Sequence, residues 1–185
     1  MQRQYIGVVA DGVPAQFVYA AKKSDRMSTS RDLAAFKTII TNIQNDADAL
    51  DVAVDAYTSG DGAAVSSANN KLVGTINAGV TSANAQPMLT DLEAIGLVTP
   101  VNTANDHVTI VVDDTIAKKD AFVTNCLGPG ILAGLNAQLA GAKSLATAIT
   151  AKVSDGLKPT AAQLAGKITA NIQRGVDAYT GVAGC

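Results

Sequence analysis

Between Phe36 and Tyr57 the apolar residues Phe36, Ile40, Ile43, Ala47, Leu50, Val54 and Tyr57 recur at alternating steps of four and three. Those steps return to one side of a helix at about 3.6 residues per turn, so the stretch predicts a helix with one apolar stripe. A helix striped on one side must bury that stripe against partners. The remaining chain supplies them. In "LNAQLAGAKSLATAITAKV", the stripe is Leu135, Leu139, Leu145, Ile149 and Val153, with Ala142 and Ala146 between. From about Ala63 to Ala85 it is Val65, Leu72, Ile76 and Val80, with Val73 alongside and Pro87 closing the helix.

"MLTDLEAIG" predicts a short helix with Leu89, Leu92 and Ile95 inward and Gly96 as its stop. Thr99 as cap and Pro100 at the first position open the next helix. It carries Val101, Val108, Val112, Ile116 and Val123. Its β-branched middle, "HVTIVVDD", loses strand-like alternation after Val112, and "DDTIAKKDAFV" continues at helical spacing. After "LKPT", Leu164, Ile168, Ile172, Val176 and Tyr179 form the last stripe.

The first helix is expected to start at "MSTSRD", where Thr29 and Asp32 fit a capping box. "SGDG" ends it, and "NCLGPG" and "SDG" bracket the fifth helix. Short loops between long helices make neighbours antiparallel. The expected fold is an all-α antiparallel bundle of about five to six amphipathic helices over residues 29–181. Residues 1–28 are weakly patterned; Val13, Phe17 and Ala21 fit either one face of a short docked helix or a loose tail. Residues 182–185 form a C-terminal tail.

Composition narrows the function. A chain of 185 residues suits one core, and 48% hydrophobic against 16% charged is too apolar for disorder. No run approaches the roughly 18 apolar residues of a membrane span. A net charge of −2 leaves no basic surface to neutralise phosphates, and with 4% aromatics and no Trp there are no stacking platforms for bases. No secretory leader is evident, because Asp11 and Pro14 interrupt the early apolar patch; a trimmed mature form and an intracellular protein both fit. Cys126 and Cys185 allow one disulfide or two free thiols, and with a single His they make no metal site. There is no Asn-x-Ser/Thr acceptor.

Reactive constellations are weak. "GPGILAG" has glycine spacing seen at some dinucleotide sites, but a helix rather than a strand precedes it, which favours a helix-to-helix turn. His107, beside Asp106, reads as a solvated surface residue; the alternative is a hydrolase base, yet no G-x-S-x-G elbow accompanies it. Asp113 and Asp114 are adjacent and diverge by about 100° on a helix, poor geometry for a carboxylate pair acting on one bond. Lys118 and Lys119 read as a solvated face.

The more informative feature is a core rich in small residues. Gly74, Gly79, Gly134, Gly141, Gly166 and Gly175 fall inside helices, beside Ala-rich stripes. One reading is close helix packing. The other is an elongated apolar cavity that side chains leave unfilled; interiors normally pack to a fraction of about 0.74, so such a cavity implies a guest. Its lining would be Phe36, Ile40, Ile43, Leu50, Leu72, Ile76, Val80, Leu92, Val108, Val112, Ile116, Leu135, Leu139, Leu145, Ile149, Leu164, Ile168 and Ile172. Polar residues on or beside the stripes, Gln44, Asn77, Gln138, Ser144 and Thr147, either pair with other helices or hold a polar head group.

Three segments add a family likeness: "INAGVTSANAQPMLTDLEAIGLVTPV", "VDDTIAKKDAFV" and "ITAKVSDGLKPTAAQLAGKITANIQRGVDAYTG". In their order and spacing they resemble the fungal hydrophobic surface-binding protein A family, which includes the antigenic cell wall galactomannoproteins. The likeness spans about Ser30 to Tyr179. It implies a secreted or cell-wall, non-catalytic helical bundle needing no cofactor, whose guest is a long-chain fatty acid such as arachidonic or palmitic acid. The alternative is a fully packed module that adsorbs to hydrophobic surfaces.

Overall fold

The computed structural model describes the backbone from Ala15 to Cys185 and the side chains from Asp32 onward. Seven helices follow one another: α1 (Ala15–Asp55), α2 (Ala63–Ala85), α3 (Asp91–Ile95), α4 (Val98–Ala117), α5 (Lys119–Thr124), α6 (Gly128–Thr150) and α7 (Lys158–Tyr179). No strand occurs among the described residues. The order of packing decides the architecture. α1 packs on α2, α2 on α6, α6 on α7, α7 on α4, and α4 back on α1. The five long helices therefore close into a ring, with every one touching two neighbours and none occupying the axis.

Two apolar clusters hold the ring. One, centred on Tyr57, Val54, Phe122, Leu135, Ile172 and Tyr179, fills the end where α5 sits. Tyr57 and Phe122 stack there with ring centroids 4.6 Å apart, and the buried Tyr179 hydroxyl donates to the Thr115 carbonyl at 2.7 Å. Buried aromatics bring large contact area, and the bonded hydroxyl avoids an orphaned polar group. The other cluster gathers Phe36, Ile39, Ile40, Ala83, Leu89 and Leu97 near α3. Close approach of α2 and α6 to their neighbours uses glycine. A Cβ on Gly79 would lie 2.8 Å from Ile39 Cγ2, and one on Gly141 would lie 2.8 Å from Ile76 Cγ2. The close-packing reading thus holds for these helix glycines, while Gly74 and Gly166 face open space.

Several expected boundaries move. α1 continues upstream of Thr29, so Thr29 and Asp32 lie inside the helix and cap nothing. Val13 lies outside the described residues, and Phe17 and Ala21 fall in α1 where side chains are not described. Gly96 is followed almost at once by α4, which begins at Val98 with no side-chain cap, so Thr99 and Pro100 sit within its first turn. The true capping box is one helix earlier: Thr90 accepts from the Glu93 backbone, and Glu93 accepts from the Thr90 backbone. Replacing Thr90 by Ala is expected to cost about 1 kcal/mol, read as a lower midpoint of urea unfolding.

The helix expected to run through Val123 breaks at Lys118 into α4 and α5. Lys118 is not a solvated face residue: its ammonium donates to the carbonyls of Asp55 and Tyr57 at 2.8 and 3.1 Å, satisfying the free C-terminal end of α1. "GPGILAG" is not a turn but the first turns of α6, with Pro129 at its start. Asp113 and Asp114 diverge as expected, Asp113 pairing with Arg174 of α7 at 2.9 Å and Asp114 turning towards α1. Cys126 and Cys185 form a disulfide that ties the C-terminal tail to the α5–α6 corner. Among the described residues no helix is long and apolar enough to cross a membrane.

Candidate functional site: an apolar tunnel on the ring axis

The axis of the ring holds a cavity of about 160 Å³. All five long helices line it: α1 through Ile40 and Ile43, α2 through Leu72 and Ile76, and α4 through Val98, Val101, Ala104 and Val108. α6 contributes Gln138 to Thr150, and α7 contributes Thr160 to Ile172. Each of those last two spans covers twelve residue steps, about 18 Å at 1.5 Å per residue. One leaflet of a bilayer's ~30 Å hydrocarbon core is about as deep, and a single acyl chain crosses it. The void therefore has the length of one long acyl chain and the section of a thin rod.

The chemistry of the wall is uniform. Among the described residues, no charged side chain and no histidine lines the tunnel, and its only polar side chains are Gln138, Thr150 and Thr160. The narrow rod of space persists because alanines stand where the stripes would otherwise carry large groups: Ala104 on α4, Ala142 and Ala146 on α6, Ala161 and Ala165 on α7. Ile95 of α3 lines one end and is also 56% exposed, so that end opens to solvent. Ile172 and Gln138 line the other end, with Leu135 and Leu139 packed behind them.

The structure brings together eleven of the residues expected at the cavity: Ile40, Ile43, Leu72, Ile76, Val108, Gln138, Leu145, Ile149, Leu164, Ile168 and Ile172. Others on the same stripes stand elsewhere. Phe36, Val112 and Leu139 are buried in helix-to-helix contacts rather than along the tunnel, Leu50 and Leu135 are buried beside a second cavity, Val80 packs beside the Phe36 cluster, and Ile116 is only partly buried. Leu92 is a correction: it is 80% exposed, because α3 is a five-residue helix at the rim with no opposing helix over that face.

Of the polar candidates only Gln138 reaches the cavity, and it donates to Asn69 Oδ1 at 2.7 Å. Gln44 donates to the Pro100 carbonyl at 3.2 Å. Ser144 and Thr147 are exposed and donate to the carbonyls of Ala140 and Lys143, four residues back on their own helix, while Asn77 is exposed. Sequence reading missed Val98, Ala104, Thr150, Thr160, Ala161 and Ala165 as lining. The signal for the alanines was their small size on an inward face, which says as much about close packing as about space.

His107 pairs with Asp48 across the α1–α4 seam, where both are partly exposed. Two turns on, carboxylate oxygens of Asp51, Asp55 and Asp114 lie within 4.8 Å of one another. One Asp51 oxygen is buried without a hydrogen-bond partner. Burial first, then the Asp114 carboxyl and its neighbours, push the Asp51 carboxyl up to about 6. A carboxyl raised on folding stabilises the native state at low pH, and that contribution is lost as pH rises through about 6. Thermal stability is therefore expected to fall between pH 4 and 7. Asp51→Asn is expected to flatten that slope and add on the order of 1 kcal/mol at pH 7, part of the effect being screened by solvent. Melting curves across that pH range check both.

A ring of five long helices closed around an uncharged void defines a helical bundle with an apolar lumen. The chain belongs to the hydrophobic surface binding protein A family, whose sequence profile matches residues 33–151. It is 45% identical over 145 residues to cell wall mannoprotein 1 of Aspergillus fumigatus, covering 78% of this chain and 51% of that protein. It is 40% identical over 145 residues to cell wall mannoprotein 1 of Aspergillus flavus, covering 53% of it. The chain thus spans about half the length of these curated relatives. Among solved structures it superimposes on ligand binding domain 1 of the Penicillium marneffei MP1 protein complexed with arachidonic acids. The TM-score is 0.78 at 30% identity, covering 80% of this chain and 99% of that domain.

Proposed function

We propose that this domain is a non-enzymatic binder of long-chain fatty acids and related acyl lipids, secreted or held in the cell wall. The observation that carries the reading is the tunnel: an apolar lining to which all five ring helices contribute, spanning about 18 Å along α6 and α7, with no charged side chain along it among the described residues. The solved domain complexed with arachidonic acids, and the relatives named as cell wall mannoproteins, support the guest and the location. The disulfide supports an oxidising compartment, where such bonds persist. Each buried methylene contributes about 0.8 kcal/mol, so a chain of about sixteen carbons gives micromolar affinity or better after association costs. Gln138 anchors the polar end. Displacement of a fluorescent fatty acid by palmitate, saturating at one equivalent, tests the reading; absence of both binding and displacement overturns it.

A second reading, adsorption to hydrophobic surfaces, has its own observation. Met88, Leu92 and Ile95 are 58, 80 and 56% exposed, and lie four and three residues apart at the open end of the tunnel. Leu92→Ser is expected to leave soluble fatty-acid binding within about twofold. It should reduce retention on an alkyl-coated surface several-fold, since a leucine side chain buries about 1.5–3 kcal/mol of contact. Unchanged retention argues against this face as the adsorbing surface.

A further inference from the structure

A second cavity, of about 350 Å³, lies between α2 and α6 on the far side of Gln138. Gln138 lines both spaces, and its hydrogen bond to Asn69 forms the partition between them. Gln138 is only 6% exposed, yet among the described residues its amide makes that single side-chain bond, out of about four an amide can form. The rest of the amide stands at the junction of the apolar tunnel and a cavity whose wall mixes apolar and polar groups.

More of the second cavity's wall is apolar than polar, through residues such as Leu50, Val65, Val73 and Ile131, but it carries polar groups that the tunnel lacks. Ser66, Asn69, Asn70 and Thr115 give it hydroxyls and amides, Ser66 and Asn70 from its solvent-exposed rim; among the described residues Asp61, also exposed, is its one ionisable lining residue, and no lysine, arginine or histidine lines it. An anion placed there gains no counter-charge and lies near the Asp61 carboxylate. A neutral polyol or amide exchanges water for hydroxyl and amide partners with no charge to desolvate. We propose that this second cavity is a head-group site for an uncharged acyl lipid, a monoacylglycerol-like amphiphile whose chain lies in the tunnel and whose hydroxyls pass the Asn69–Gln138 pair. The proposal rests on the acyl-binding reading above and specifies its ligand class.

The test compares 1-monopalmitoylglycerol with palmitate at pH 8, by calorimetric titration of the intact, delipidated chain. The wild type is expected to bind the monoglyceride at least tenfold more tightly. Gly130→Phe adds a ring at the exposed rim of the second cavity, which Gly130 lines, and leaves the tunnel wall unchanged. It is expected to erase the preference while palmitate still binds. Gln138→Leu removes the junction amide and is expected to erase it too. Equal affinity of the two lipids in the wild type, or a preference that survives Gly130→Phe, overturns this proposal and leaves the acyl tunnel standing. Binding of neither lipid overturns the tunnel reading as well.

Discussion

Replacing Ala146 by Phe is expected to abolish fatty-acid binding while leaving the fold as stable as before. Ala146 lines the tunnel in the middle of the α6 span, partly buried and without a large side chain of its own. A phenyl ring there occupies the room of roughly four to five methylenes. At about 0.8 kcal/mol each, that removes about 3–4 kcal/mol, a loss on the order of several hundredfold in affinity. The stability readout separates a void from a packed interior. Forcing extra carbons into a filled core costs about 1–3 kcal/mol through strain, whereas filling a void is neutral or stabilising. The same variant measured by fatty-acid titration and by thermal unfolding therefore reports on both halves of the claim. Retained binding, or a melting temperature lowered by many degrees, would contradict it.

Loss of the Cys126–Cys185 bond is expected to have the largest effect on stability. The bond joins residues 59 apart and anchors the tail beyond α7 to the corner between α5 and α6. In the chain-entropy account, a loop of that length stabilises by about 4 kcal/mol through restriction of the unfolded chain. For a chain of this size that corresponds to a fall of about 10 °C in the unfolding midpoint. Reduction with dithiothreitol and the double substitution Cys126→Ser with Cys185→Ser should agree. The tunnel lies away from the corner and draws no lining residue from α5 or the tail, so fatty-acid affinity is expected to persist in the oxidised, wild-type range at low temperature. An unchanged midpoint would show that ring packing alone holds that end.

The stripes were legible because a helix writes its period into the spacing of apolar residues; Phe36 to Tyr57 could form no strand, and α2 lies where its pattern placed it. What the stripes could not say is which part of each faces the axis. In a ring every helix buries two flanks against neighbours and a third strip against the lumen, so the apolar face is broad. Val112 and Val108 read alike, yet Val112 is 1% exposed in the packed interior while Val108 lines the tunnel. Leu139 and Leu145 divide in the same way. That division depends on how the helices are rotated, and rotation follows from pair contacts such as Gly79 against Ile39 and Gly141 against Ile76. Helix starts were hard for a simpler reason: α4, α6 and α7 have Leu97, Leu127 and Leu157 at their N-caps, with no side-chain cap, so no polar capping residue marks them. Ser144 and Thr147 looked like head-group donors because they flank a stripe, but their hydroxyls bond back to their own helix.

The central claim is that the five-helix ring is hollow and holds one acyl chain. Native mass spectrometry of the delipidated chain titrated with palmitate tests it most directly. The expected result is a single adduct of one palmitate per protein that saturates at low micromolar ligand and is missing from Ala146→Phe. A spectrum that stays ligand-free at saturating palmitate, or that gains adducts without a limiting stoichiometry in both proteins, would contradict it.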